Sequence, residues 1–252
     1  MIIRELTVGI VQTRCYILSA ESAAECIIID PGAEADRIRK AAGDKKIAAI
    51  LLTHGHFDHI GAVSALMEEG TRLVIHAADA PMLSDPALNA GLGLLNRRIT
   101  APEPTDRVKE GDELELAGLK VKVLHTPGHT PGSVLFHDKQ SGILFVGDTC
   151  ARRLLYGVTP TIPISEHCKK LKKLMNEDFN VMYSAHDRCP LDKEYIRTIL
   201  RCIETMLPQS KETVMIPGLG FMRNLRYGKE DTLEFFDLAI MEQYMNWGAR
   251  DD

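Results

Sequence analysis

The chain has 252 residues, 45% hydrophobic and 26% charged, with a formal net charge of -5 and a pI near 6.0. This suits one large α/β domain or two small ones, and the acidic balance argues against nucleic acid as the main partner. Met1 to Glu5 opens without a basic stretch and long apolar run, and no segment reaches membrane-spanning length. Six scattered cysteines without a CxxC pair fit free thiols, so the expectation is a cytoplasmic protein without membrane contact.

Ile2 to Val8, Cys15 to Ser19 and Cys26 to Asp30 predict an opening β meander. Asp30-Pro31-Gly32 is a turn signal, and Ala33 to Ala42 predicts a helix stopped by Gly43. Ile47 to Thr53 is aliphatic and β-branched and reads as a buried strand. It runs directly into His54-Gly55-His56-Phe57-Asp58-His59-Ile60-Gly61. Helical spacing then carries Ile60, Val63, Leu66 and Met67 as far as Gly70.

Within that loop, His54, His56, Asp58 and His59 are four potential metal ligands in six residues. A lone histidine is usually an ordinary core or surface residue. A carboxylate and three imidazoles gathered behind a buried strand are costly unless a cation neutralises them. With no cysteine near, the donors are nitrogen and oxygen, which suits an open, catalytic site better than a closed structural one.

Leu73 to His76 predicts another strand, and Leu83 to Pro104 a loop with a short helix that borders a cleft. Leu114 to Ala117 and Leu119 to Leu124 read as a hairpin through Gly118. The second of these strands enters His125-Thr126-Pro127-Gly128-His129-Thr130-Pro131-Gly132-Ser133. Val134 to His137 and Ile143 to Val146 follow as strands, the latter ending in Gly147-Asp148-Thr149. Ser165 is expected to cap a helix reaching Asn176, whose Lys169, Lys170, Lys172 and Lys173 form a solvated face.

Val181 to Ala185 predicts a strand ending at His186-Asp187, and Asp192 caps a helix to Leu207. Val214 to Tyr227, with Pro217, Gly218 and Gly220, reads as a closely packed or flexible connection. Leu233, Phe236, Ile240, Tyr244 and Trp247 predict a last amphipathic helix from about Thr232. The domain reading is 1–207 as the main unit, with 208–252 as a helical extension packed on it. Strands ending near Thr53, Leu124, Val146 and Ala185 each precede a potential ligand, which points to one sheet edge gathering seven side chains.

The THGHFDHIG loop, the HTPGHTPGS loop, Gly147-Asp148-Thr149 and His186 resemble the metallo-β-lactamase superfamily, in particular its glyoxalase II-like hydrolases. The resemblance covers about the first three-quarters of the chain. It implies an α/β, four-layer αββα sandwich with two divalent ions, zinc by default and iron or manganese as options. His54, His56 and His129 would bind one ion, Asp58, His59 and His186 the other, and Asp148 would bridge. Thr53, His125 and Asp187 are candidates to orient the ligand imidazoles.

The implied activity is hydrolysis of an ester-like bond (thioester, lactone or amide) by metal-bound hydroxide, with Asp58 also carrying a proton to the leaving group. Arg152, Arg153 and Tyr156 are candidate substrate-binding residues for a small molecule. Ser184-Ala185-His186-Asp187 stands where these hydrolases show Pro-Gly-His-Gly, and no glutathione-binding tail is visible. The alternative on the same fold is a mononuclear-iron persulfide dioxygenase, and from another class a non-catalytic metal-binding module. A superfamily nuclease would want a basic surface, which the composition lacks.

Overall fold

Every second apolar residue of the first strands faces one of two buried clusters. Tyr16, Leu18, Ile27, Ile29, Ala49 and Leu51 face one, whereas Cys15, Ile17, Cys26, Ile28 and Ile50 face the other. A sheet apolar on both faces must be covered on both, and that requirement shapes the protein. The computed structural model describes residues 1–158, 162–216, 220–228, 236–241 and 245.

Strands β1 (Ile2–Val8), β2 (Thr13–Ser19), β3 (Glu25–Ile29), β4 (Lys46–Leu51), β5 (Arg72–His76) and β6 (Asp106–Val108) form the first sheet in that order. Pairing is antiparallel from β1 to β3 and parallel from β3 to β6. Its outer face is covered by α1 (Ala35–Ala42), followed by the short α2 (Phe57–Ile60) and α3 (Val63–Leu66). Ile38, Ala42, Val63 and Leu66 supply the helical side of that layer. The helix expected from Ile60 to Gly70 is thus two short pieces. Gly61 lies so close to the Gly32 carbonyl oxygen that an added Cβ would sit 2.3 Å from it.

After α4 (Gly91–Leu95) come β7 (Glu113–Leu116), β8 (Leu119–His125), β9 (Val134–Asp138), β10 (Ile143–Gly147), β11 (Arg153–Tyr156) and β12 (Val181–Ser184). All but β11 form the second sheet, ordered β12-β10-β9-β8-β7. Val121, Val123, Val134, Phe136 and Phe145 pack it onto the first sheet. Its outer face, with Leu124, Leu135, Leu144 and Met182, meets α5 (Ile164–Leu174) and α6 (Lys193–Arg201). The architecture is the expected four-layer αββα sandwich. Among the described residues, no helix is long and apolar enough to cross a membrane.

The C-terminal expectation is corrected. Residues 208–252 are not a helical extension where they are described: they supply β13 (Thr213–Ile216), β14 (Gly220–Tyr227) and β15 (Phe236–Ile240). These join β11 in a third sheet, ordered β11-β15-β14-β13. Phe236 and Ile240 satisfy a helical spacing and a strand spacing equally. Buried Leu238 between them completes the period of two, and parallel pairing with β11 decides for strand. Leu233, Tyr244 and Trp247 of the expected helix lie outside the described residues.

One further detail differs. Pro163, not Ser165, takes the cap position of α5; its extended backbone and ring suit a helix start better than a second-position serine. Asp192 caps α6 as expected, accepting from the Tyr195 N–H at 3.0 Å. The lysine face of α5 is a set of surface ion pairs, with Lys169 to Glu166, Lys172 to Glu204 and Lys173 to Glu110.

Candidate metal centre

All four strands expected to deliver ligands end at one edge of the sandwich. Parallel pairing of β10 with β12 sets Gly147 opposite Ser184, which brings Asp148 and His186 side by side. Across the sheets, the Val134 N–H donates to the Thr53 carbonyl at 2.9 Å. Gly147, with φ +50°, crosses so close to Thr53 that a Cβ would lie 2.3 Å from its Oγ1. Only glycine permits that approach, and it takes that backbone conformation at no steric cost.

The seven expected ligands converge. His54 Nε2 is 2.9 Å from His56 Nδ1, and His129 Nε2 is 2.8 Å from the same atom. Asp58 Oδ2 lies 3.5 Å from His59 Nε2 and 3.4 Å from His186 Nε2. Asp148 stands between the two groups: its Oδ2 is 3.4 Å from His129 Nε2, and its Oδ1 is 3.5 Å from His59 Nε2 and 3.3 Å from His186 Nε2. Cation-sized donor sets emerge as His54–His56–His129, His54–His59–Asp148 and Asp58–His59–His186.

The second contacts of these rings aim them. Thr53 Oγ1 donates to Asp30 Oδ2 at 2.6 Å, so it accepts from His54 Nδ1 at 3.1 Å and leaves Nε2 bare toward the centre. His129 Nδ1 donates to the Leu155 carbonyl at 2.8 Å, with the same result. His59 Nδ1 is 3.0 Å from Asp30 Oδ2, and the Thr13 hydroxyl donates to Asp58 Oδ2 at 2.7 Å. Bare imidazole nitrogens packed this closely repel one another unless a proton or cation lies among them. Among the described residues, buried His59 Nε2 and Asp148 Oδ1 also have no hydrogen-bond partner. The residues present fit divalent cations.

Protonation divides the centre in two. Burial, then neighbouring imidazoles, hold His54 well below its ordinary value, and burial with His129 takes His56 down to about 3. Burial also lowers His186, but Asp148 and Asp58 outweigh it and push the group up to about 10. For His59, too, the carboxylates Asp58, Asp30 and Asp148 overcome burial and raise it well above the usual range. In the metal-free protein one set is therefore neutral, and protons neutralise the carboxylates of the other.

A cavity of about 1000 Å³ opens onto the centre, touching His56, Asp58, His129, Asp148 and His186. Ala90 and Leu94, from the stretch expected to border a cleft, line one side, and Val214, Ile216, Asn224 and Ala239 of the third sheet line another. Arg152 and Arg153 line it as well. Tyr156 does not: it is fully buried against the third sheet and α5, which removes it as a substrate-binding residue. Arg153, Leu154 and Leu155 of β11 reach the cavity, and the strand carries Tyr156 past it into the core.

A family model for the metallo-beta-lactamase superfamily matches residues 8–180. The chain belongs to the metallo-β-lactamase superfamily. The "Probable metallo-hydrolase YqgX" of Bacillus subtilis (strain 168) is 37% identical over 149 residues, 58% of this chain and 69% of that protein. A hydroxyacylglutathione hydrolase of Aeromonas hydrophila is 31% identical over 177 residues, 68% of this chain and 61% of its own length. The crystal structure of BLEG-1 B3 metallo-beta-lactamase aligns with TM-score 0.70 and 26% identity, covering 81% of this chain and 98% of that one. The fold is that of the superfamily, and the clustered His and Asp side chains could hold metal ions.

Sequence reasoning missed one residue that orients these imidazoles. Asp30 reads as part of a turn, yet parallel pairing of β3 and β4 turns it onto Thr53 and His59. Of the proposed orienting residues, Thr53 serves His54. His125 instead stacks on His76 with ring centroids 4.0 Å apart, and Asp187 accepts from Ser184 Oγ at 2.7 Å and the Arg152 N–H at 3.1 Å.

Proposed function

We propose that the chain is a dinuclear metallohydrolase that cleaves an ester-like bond (thioester, lactone or amide) of a small molecule. The observation that carries this reading is the pair of Asp148 oxygens, one facing His129 and the other facing His59 and His186. In it, His54, His56 and His129 would hold one divalent ion and Asp58, His59 and His186 the second, with Asp148 between the two sets. Zinc suits the nitrogen and oxygen donors, and iron or manganese suit them too.

When bound, such a pair lowers the pKa of water from ~15.7 towards ~7 and polarises a carbonyl. The chain's own residues supply the rest. Backbone and hydroxyl partners hold His54 and His129 in the tautomer that presents Nε2 to the centre. Asp58, anchored by Thr13, is the carboxylate positioned to move a proton to the leaving group. Arg153, on the cavity wall, is the candidate contact for the substrate's remote end. All six cysteines are free thiols, which suits a reducing cytoplasm.

The test is elemental analysis of freshly purified protein, followed by a panel of thioesters, lactones and β-lactams. Two divalent ions per chain and chelator-sensitive hydrolysis of one of these classes are expected. A metal-loaded protein that cleaves none of them, yet consumes oxygen with a persulfide, would overturn the reading in favour of an iron dioxygenase.

A further inference from the structure

Asp79 is a buried carboxylate near the centre that lies outside the ligand set. It occupies the cap position before the 3₁₀ turn Ala80–Leu83, but its side chain caps nothing there. With no exposed surface, it reaches instead into both histidine-bearing loops. Its Oδ2 accepts from the Thr130 hydroxyl at 2.6 Å and from the Gly55 N–H at 3.3 Å. Its Oδ1 accepts from the Gly132 N–H at 2.7 Å. Gly55 lies between His54 and His56, and Thr130 directly follows His129.

We propose that Asp79 is a positioning residue that clasps the His54–His56 loop to the His129 loop and so sets the geometry of the three-histidine cation site. The proposal rests on the reading that these histidines hold a cation. Three features support this clasp. All three partners are donors: Ser133 Oγ lies 2.7 Å from Thr130 Oγ1, so its proton can satisfy that oxygen while Thr130 donates to Asp79. Gly132 approaches so closely that a Cβ would sit 2.6 Å from Asp79 Cγ. At Gly55 a Cβ would meet Met82 Cβ at 2.5 Å and the Asp79 carbonyl oxygen at 3.1 Å, so each loop has glycine where it approaches the Asp79 turn. An asparagine would turn an N–H₂ group toward one of these donors and leave it unpaired.

The experiment uses the full chain and reads metal affinity rather than turnover. Zn²⁺ and Co²⁺ are titrated in competition with a chromophoric chelator, and the Co²⁺ absorption spectrum reports the three-histidine site. Asp79→Asn is expected to weaken that site roughly 10–100-fold. Thr130→Val, which keeps size and removes one donor, should weaken it roughly tenfold. The double variant should cost no more than Asp79→Asn alone, because the hydroxyl acts through the carboxylate. If Asp79→Asn does not fold, Thr130→Val decides by itself. Folded variants that lose thermal stability but bind both metals with wild-type affinity and spectrum would overturn the clasp. A wild-type chain that binds neither metal would overturn the cation reading itself, a result the variant comparison cannot produce.

Discussion

His129 Nδ1 donates to the carbonyl oxygen of Leu155 at 2.8 Å, so a backbone atom of β11 orients a candidate ligand carried by the loop after β8. No side-chain substitution at residue 155 removes that acceptor. The ring itself is the accessible handle. His129→Ala should leave the second donor set intact and lower the metal content from about two ions per chain to about one, read by elemental analysis. An unchanged content would remove His129 from the ligand set.

Asp148 carries a larger consequence, because its two oxygens face different groups. Asp148→Ala should abolish retention of the second ion and lower kcat/KM by about 10³-fold, the equivalent of ~4 kcal/mol. Two tightly held ions in that variant would contradict the proposed allotment.

The pH dependence of the metal-free protein follows from His186. Its folded-state value, about 10, lies above the ~6.5 of an unfolded histidine. The stability it contributes is complete below pH ~6.5 and is lost as pH rises through about 10. The melting temperature of chelator-treated protein should therefore fall across that interval, and His186→Asn should flatten the decline. Loading metal near neutral pH should also release about two protons per chain, from His59 and His186, measurable with an indicator dye.

Leu238 tests how the C-terminal strands belong to the rest. It is fully buried among Leu154, Tyr156, Phe236 and Ile240, and Leu238→Ala should cost about 2–5 kcal/mol in a single denaturant transition. A separate early transition, with the main one unmoved, would show an independent appendage.

The amino-acid sequence by itself determined the donors. Local signals sufficed because each ligand follows directly on a strand or sits in a turn, and because histidines clustered behind an apolar run are hard to explain as packing. The four strand ends were legible because short apolar, β-branched runs stop at turn residues, and the four-layer sandwich followed from the resemblance to the superfamily. Tertiary structure alone decided what lies around them. Whether Phe236 to Ile240 is a helix or a strand depends on β11, some eighty residues earlier in the chain. Whether Tyr156 faces substrate or core depends on that same pairing. Asp30 and Asp79 look like ordinary turn residues until parallel strands and crossing loops bring donors to them, since hydrogen bonds between distant segments leave no period to read.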